Sequence, residues 1–362
     1  MKVLLACGGT GGHIFPAFSV AEELKARDPR TRIVYVCGKK DIESAIFKII
    51  GTQEVFSVDS AGFRGASSLL SPSFLLKLVR GFLFSFRILK NEKPDVVAGF
   101  GGHTSFPVIM AARVLGIPTL IHEQNVIPGA ANRLLAYFVK GLALSFEESR
   151  IYFRAPRCVR VTGNPIRASI ERECREEALK FFRFSDHKKT LLVLGGSQGA
   201  ESINTVFFEV LNELPESLKE KLQVLHLCGK MPETEAEQRY SAAGIAARAY
   251  SFFDRMDLAY GVTDVALGRA GATFLAEIQA KDIPAILVPY PFAGEHQLMN
   301  AKVFAREKEA EIIAQSELNP VTLKKSLEKY LTQVRQKARP PGLSGSLSPA
   351  RALLADFIEE FV

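Results

Sequence analysis

Val3-Leu4-Leu5-Ala6-Cys7-Gly8-Gly9-Thr10-Gly11-Gly12-His13 runs an apolar strand straight into a glycine loop that ends in a histidine. A helical pattern follows, with Ile14, Phe15, Phe18, Ala21 and Leu24 on one face and Pro16 in the first turn. Glycines let backbone N–H groups approach an anion unobstructed, and a helix N-terminus adds partial positive charge. A tight strand–helix turn with a surface histidine is the plainer alternative, although Gly8, Gly9, Gly11 and Gly12 exceed what a turn needs. The spacing is not the G-x-G-x-x-G of dinucleotide folds and no P-loop lysine follows, which argues against NAD and ATP. The same unit recurs at Leu191-Leu192-Val193-Leu194-Gly195-Gly196-Ser197-Gln198-Gly199-Ala200. Two strand–loop–helix units in separate halves point to two nucleotide-fold domains.

Around these anchors the pattern alternates. Strands are expected at 3–7, 33–37, 95–99, 118–122, 142–145 and 158–162, then at 190–195, 223–228, 264–267 and 284–288, with helical periods between most of them. This is the signature of an α/β chain with parallel sheets wrapped by helices. Gly163-Asn164-Pro165 breaks the alternation, because Pro165 restricts Asn164 to extended backbone. It divides a domain over 1–164 from a second over 165–340. The charged stretch 171–189 reads as a surface helix leading in. Arg339-Pro340-Pro341-Gly342 and the Ser/Gly-rich run to Ser348 read as a connector, and Ala350 to Phe361 resumes a helical period.

Bulk composition narrows the class. The chain has 362 residues, 47% of them hydrophobic, enough for two cores. A formal charge of +7 suits acidic ligands or an anionic membrane surface and does not demand nucleic acid. Five scattered cysteines without a C-x-x-C pair favour a reducing compartment and argue against a structural zinc site. The apolar run Val3 to Cys7 is too short for a signal peptide. No stretch approaches the roughly 20 apolar residues that span a bilayer.

Further polar clusters end expected strands, at the edge where open α/β sheets bind ligands. One is Gly99-Phe100-Gly101-Gly102-His103-Thr104-Ser105, or else an ordinary turn. Another is Ile121-His122-Glu123-Gln124-Asn125; His122 and Glu123 as adjacent residues make a poor metal site, and a core histidine with a capping Asn125 is the alternative. In the second half, Asp264 to Ala272 leads through Thr273 and Phe274 to Glu277, which suits a ribose diol or is a solvated helix carboxylate. Pro289 to Asn300 is rich in sugar-type hydrogen bonders. No D-x-D motif occurs, so the charge of a departing diphosphate falls to glycine-loop N–H groups, a helix dipole and a cation such as Arg167. The segment 69–90 is strongly apolar, with Lys77, Arg80, Arg87 and Lys90 inside an arc of roughly 140°. That pattern suits an anionic bilayer surface, or a core helix with a solvated basic face.

In their order along the chain, the motifs Gly8–Ala17, Gly101–Ser105, His122–Asn125, Gly163–Arg167, Gly195–Ala200, Arg269–Glu277 and His296–Ala301 resemble the MurG family of GT-B glycosyltransferases. The resemblance implies two Rossmann-like doubly wound domains facing across a cleft, with the C-terminal helix 349–362 returning to the first. It implies inverting transfer of N-acetylglucosamine from UDP to the muramoyl 4-hydroxyl of undecaprenyl-linked lipid I, giving lipid II in peptidoglycan synthesis. No metal or other cofactor and no nucleic-acid partner are implied. The implied location is the cytoplasmic face of the bacterial inner membrane, held peripherally through 69–90.

By the same resemblance, Gly8, Gly9, Gly101, Gly102, His103 and Ser105 face the acceptor diphosphate. Thr10, Gly11, Gly12, His13 and Asn125 lie toward the transferred sugar, with His13 the candidate catalytic base. Arg167 and Ser197 lie by the donor phosphates, and Phe253 by the uracil. Ala272, Thr273, Phe274 and Glu277 lie at the donor helix, with Glu277 on the ribose; His296 and Gln297 lie at the sugar hydroxyls. Two positions depart from the family pattern: His103 stands where tyrosine is usual, and Phe274 where a small hydroxyl residue is common. A UDP-sugar:diacylglycerol transferase, a UDP-sugar epimerase and a non-catalytic UDP-sugar sensor remain as rivals of related fold.

Overall fold

Runs such as Val3–Cys7 and Leu191–Val193 are fully buried, as parallel strands covered on both faces require. The computed structural model describes residues 1–38, 54–58, 72–154, 158–196, 200–292, 295–332 and 349–362. They fall into two compact units, one of Met1–Ala168 with Ser348–Val362 and one of Ser169–Leu347.

The first unit runs β1 (Lys2–Ala6), α1 (Gly11–Arg27), β2 (Arg32–Cys37), β3 (Val55–Ser57), α2 (Pro72–Glu92), β4 (Val96–Gly99), α3 (Gly102–Val114), β5 (Thr119–Glu123), α4 (Ala130–Leu135), β6 (Gly141–Leu144), a 3-10 turn (Glu147–Tyr152) and β7 (Cys158–Val161). A one-turn helix α5 (Ala168–Glu171) carries the chain onward. The second unit runs α6 (Arg175–Phe182), β8 (Lys189–Leu194), α7 (Glu201–Glu213), α8 (Glu216–Lys219), β9 (Leu222–Leu227), α9 (Glu233–Ala242), β10 (Ala246–Tyr250), α10 (Met256–Val262), β11 (Val265–Gly268), α11 (Ala272–Ala280), β12 (Ala285–Leu287), α12 (His296–Glu307), β13 (Ala310–Ile312) and α13 (Pro320–Thr332). Helix α14 (Pro349–Glu359) returns to the first unit.

Among the described residues the strands form a seven-stranded sheet in the order β3-β2-β1-β4-β5-β6-β7 and a six-stranded sheet in the order β10-β9-β8-β11-β12-β13. Every pairing is parallel. Strand order reverses between β1 and β4 in one sheet and between β8 and β11 in the other. Helices leave opposite faces at such a point and open a crevice at the carboxyl ends of the strands. The expected strands all appear within a residue or two. Three more, β3, β10 and β13, were not legible in the sequence. Each is a sheet edge with partly exposed residues, so none carries a continuous apolar run.

Helix α14 is built into the core of the first unit. Leu354, Ala355, Phe357 and Ile358 are buried in one cluster with Val3, Leu5, Ile14 and Leu24. Arg27 at the end of α1 ties it down, donating to Asp356 Oδ1 at 2.7 Å, Glu359 Oε2 at 2.8 Å and the Ala352 carbonyl at 3.1 Å. A Cβ on Gly141 would meet the Phe361 ring at 2.8 Å, so glycine is what lets these aromatic rings lie against β6. Phe357→Ala is expected to destabilise the first unit by about 3–5 kcal/mol. Leu353→Ala, on the outer face at 36% exposure, is expected to cost under about 1 kcal/mol. Urea unfolding of the two variants checks the contrast.

Candidate active site

The first unit's switch point is where its two glycine loops meet. Ala6 and Gly99 are in register on β1 and β4, and Phe100 N–H donates to the Ala6 carbonyl at 2.8 Å. A Cβ on Gly102 would collide with the Gly8 carbonyl, and Gly102 itself has φ +75°. Glycine is therefore required twice over, for conformation and for close approach. Gly101, at φ +86°, lies under the His13 ring, where a Cβ would stand 3.1 Å from Nδ1. His103 lies beside Gly9, whose Cβ would be 3.8 Å from His103 Nδ1. Helices α1 and α3 both start from these touching loops, so two positive helix ends lie together at the sheet edge.

Ser105 belongs to this cluster in a different way from its sequence-based assignment. It is fully buried, and its hydroxyl lies 2.6 Å from the Gly101 carbonyl and 2.9 Å from that of Ala6. It fastens the loop to β1 and presents no hydroxyl to a ligand.

Half-buried His13 stands in the first turn of α1. Its Nδ1 is 3.1 Å from Gln124 Oε1. Gln124 Nε2 lies 3.0 Å from the Phe100 carbonyl and 3.0 Å from His122 Nδ1. His122 Nε2 lies 3.0 Å from the Gly163 carbonyl. Burial lowers the His122 pKa to about 4, so this ring is neutral near pH 7. Beside it, Glu123 is buried and accepts from Asn125 N at 2.9 Å, Asn125 Nδ2 at 3.2 Å, Gly129 N at 3.2 Å and Asn132 Nδ2 at 2.8 Å. Such a carboxylate organises the loop after β5 and so holds Asn125 in place. His122 and Glu123 are both spent on protein groups. Among the described residues no group of three or more His, Cys, Asp or Glu side chains is arranged to hold a metal ion. Thr10 is exposed at the N-cap of α1 without a side-chain capping bond. The Arg167 guanidinium lies 4.3 Å from the centre of the Phe15 ring, which brings a fixed cation to the start of α1.

In the second unit the same geometry recurs with other residues. A Cβ on Gly268, at the end of β11, would stand 2.5 Å from the Leu194 carbonyl at the end of β8. The loop leaves β8 through Gly195 and Gly196, the latter at φ +86°, while Ser197 lies outside the described residues. Ala272, Thr273 and Phe274 form the first turn of α11. The Phe274 ring is buried against Gly268, so residue 274 offers a ligand its main chain and no side-chain group. Arg269 is held by the Val288 carbonyl at 3.0 Å, Gln315 Oε1 at 2.6 Å and Ser202 Oγ at 3.0 Å; burial lowers its pKa.

Glu277 is buried, not solvated, and accepts from the Tyr260 hydroxyl at 2.7 Å. Gln297 Oε1 accepts from Tyr290 N–H at 2.9 Å, closing the 290–297 loop at the start of α12, where His296 is the first residue. Phe253 sits in an aromatic cluster with Phe181, Phe182 and Tyr250, 4.8 Å from the Tyr250 ring.

Two residues escaped sequence reading. Gln124 left a trace, as one more polar residue at the end of β5. Tyr260 left none: it lies on α10, and only folding brings it to Glu277.

These two switch-point sites, each with crowded glycine turns and helix N-termini, can be set against known proteins. The glycosyltransferase family 28 N-terminal domain matches residues 3–144, and the family 28 C-terminal domain matches residues 190–345. The chain belongs to glycosyltransferase family 28. It is 39% identical, over 99% of both chains, to a protein of Halothermothrix orenii named UDP-N-acetylglucosamine--N-acetylmuramyl-(pentapeptide) pyrophosphoryl-undecaprenol N-acetylglucosamine transferase. A Geobacter sulfurreducens protein of the same name is 40% identical over 90% of this chain and 89% of its own. The crystal structure of Acinetobacter baumannii MurG superposes with a TM-score of 0.70 at 28% identity, covering 99% of both chains. A UDP-GlcNAc 2-epimerase from Neisseria meningitidis superposes at 0.65 with 13% identity, over 100% of this chain and 99% of its own, a likeness of fold alone. The family member described here has the GT-B fold.

Two buried neutral histidines are expected to make this glycosyltransferase acid-sensitive. Like His122, His226 has its pKa lowered to about 4 by burial; Tyr240 O–H lies 2.8 Å from its Nδ1 and Asn204 Oδ1 lies 3.0 Å from its Nε2. The unfolded chain binds these protons near pH 6.5 and the folded chain only near pH 4, so stability falls as pH drops through that window. The loss is expected to reach about 3 kcal/mol per histidine below pH 4. Urea unfolding between pH 7.5 and pH 4 checks it, with His226→Gln expected to flatten the slope.

Proposed function

We propose that this glycosyltransferase moves N-acetylglucosamine from UDP-N-acetylglucosamine to the 4-hydroxyl of the muramyl residue of lipid I, releasing UDP and forming lipid II. The observation that carries the reading is near-full-length identity of 39% to a transferase of that name. The site geometry supports it: donor and acceptor each bring a diphosphate, and each unit has its own glycine-lined switch point. We assign the acceptor diphosphate to the paired loops of Gly8, Gly9, Gly101, Gly102 and His103. The donor falls to the second unit, with its phosphates at Gly195–Ala200 and the first turn of α11, its ribose on Glu277 and its uracil by Phe253.

The acceptor oxygen attacks the anomeric carbon as the bond to the UDP phosphate breaks, inverting that centre in one displacement. His13 takes the proton of the acceptor hydroxyl. The charge growing on UDP is met by main-chain N–H groups, helix dipoles and Arg167. Incubation with radiolabelled UDP-N-acetylglucosamine is expected to label lipid I and not diacylglycerol, with or without chelator. His13→Ala is expected to lower kcat by about 10²–10⁴-fold. Turnover near normal in that variant removes the base assignment.

Helix α2 supports an anionic membrane surface as a further partner. Phe74, Gly81, Ser85, Ile88 and Leu89 are buried on one face of the helix. The opposite face exposes Leu75, Leu76, Val79, Leu83 and Phe84, interleaved with exposed Lys77, Arg80, Arg87 and Lys90. A core helix with a solvated basic face has no use for five large apolar side chains in water. Apolar groups dipping between basic ones suit an anionic lipid surface. Among the described residues no helix is long and apolar enough to cross a membrane. We assign the protein to the cytoplasmic face of the inner membrane, bound peripherally. Leu76→Glu/Leu83→Glu is expected to abolish co-sedimentation with phosphatidylglycerol vesicles while leaving binding of UDP unchanged. Undiminished sedimentation removes α2 as the contact.

A further inference from the structure

We propose that Gln124 and His122 are positioning residues that lock His13 as the Nδ1–H tautomer, leaving the Nε2 lone pair free to take a proton. The inference rests on the base reading only for its kinetic consequence; the tautomer itself follows from the hydrogen-bond chain.

Two ends of that chain are backbone carbonyls, which only accept. The Gly163 carbonyl, 3.0 Å from His122 Nε2, requires a proton on that nitrogen. Ser145 Oγ, at 3.4 Å from the same nitrogen, is compatible as a second acceptor. His122 is kept neutral by burial, so its Nδ1 carries a lone pair and must accept. The donor 3.0 Å away is Gln124 Nε2, whose other hydrogen goes to the Phe100 carbonyl at 3.0 Å. Turning the Gln124 amide over would set its oxygen against the Phe100 carbonyl and against the His122 lone pair. The amide direction is therefore decided by its partners. Gln124 Oε1 is left facing His13 Nδ1 at 3.1 Å, and an amide oxygen only accepts. His13 Nδ1 must be the donor, and in a neutral imidazole Nε2 is then unprotonated.

The arrangement also suits the reaction. When Nε2 takes a proton, the Nδ1–H bond to Gln124 is kept, so the ring does not turn during transfer. The Gly101 backbone under the ring, where a Cβ would stand 3.1 Å from Nδ1 and Cε1, holds it from the side. The Gly8–Gly102 approach sets the two glycine loops that carry His13 and the Gly101 backbone beneath it.

The test uses the full chain with ¹⁵N-labelled histidine. Long-range ¹H–¹⁵N correlation spectra at mildly alkaline pH read the tautomer directly, with the His13 signals assigned by their loss in His13→Ala. The expected wild-type form is Nδ1–H. In Gln124→Met, of similar size but without an acceptor, the Nε2–H form is expected to dominate. That variant should lower kcat by about 10–100-fold with the KM for UDP-N-acetylglucosamine unchanged. A wild-type ring protonated at Nε2 overturns the proposal, as does an Nδ1–H ring that persists in Gln124→Met. If Gln124→Met fails to fold, the wild-type spectrum decides alone. Normal turnover by His13→Ala defeats the base reading instead, and the spectrum still decides the tautomer.

Discussion

The approach of Gly102 to the Gly8 carbonyl is the constraint on which the first unit's site depends. It brings the loop after β1 and the loop after β4 into backbone contact, and that contact fixes everything mounted on them. It sets the starts of α1 and α3 side by side, lays Gly101 under the His13 ring, and places His103 next to Gly9. A single methyl group at residue 102 would separate the two loops. The second unit solves the same problem at a different pair, with Gly268 against the Leu194 carbonyl. In both sheets the close approach falls where strand order reverses, so topology makes the crevice and glycine makes it narrow.

Around these contacts the polar groups divide into those that hold the site and those that face a ligand. Glu123 spends three hydrogen bonds on the loop that carries Asn125 and a fourth on Asn132 of α4. Ser105 fastens the second glycine loop to β1, Tyr260 orients Glu277, and Gln297 closes the 290–297 loop. None of these side chains differs in type from a ligand-binding one. A buried polar group must find a partner, and in this fold most find it in the scaffold. Sequence reading assigned Ser105 to the acceptor because residue type and loop position carry no record of that partner.

The outer surface of the first unit follows a similar logic. Helix α2 has a buried face of small and apolar residues and an outer face on which apolar and basic side chains alternate. The basic arc was legible from spacing alone. That the exposed face also carries Leu75, Leu76, Val79, Leu83 and Phe84 became evident only once the buried face was known. Helix α14 shows the converse: its helical period was plain, but its place in the core beside α1 depends on Arg27 and Gly141, more than 200 residues earlier in the chain.

By itself the sequence determined the two parallel α/β units and the glycine loops at the carboxyl edges of their sheets. These depend on local apolar runs and on backbone freedom at glycine, both written in consecutive residues. Edge strands β3, β10 and β13 were not legible, because half-exposed strands lack a continuous apolar run. Only the tertiary structure decided the hydrogen-bond chain from Gly163 through His122 and Gln124 to His13. The direction of each bond is forced by carbonyls at residues 100 and 163, which sequence separates from His13 and the sheet edge brings back. Residue type offers His13 as a base; the order of donors and acceptors behind it decides which nitrogen is free.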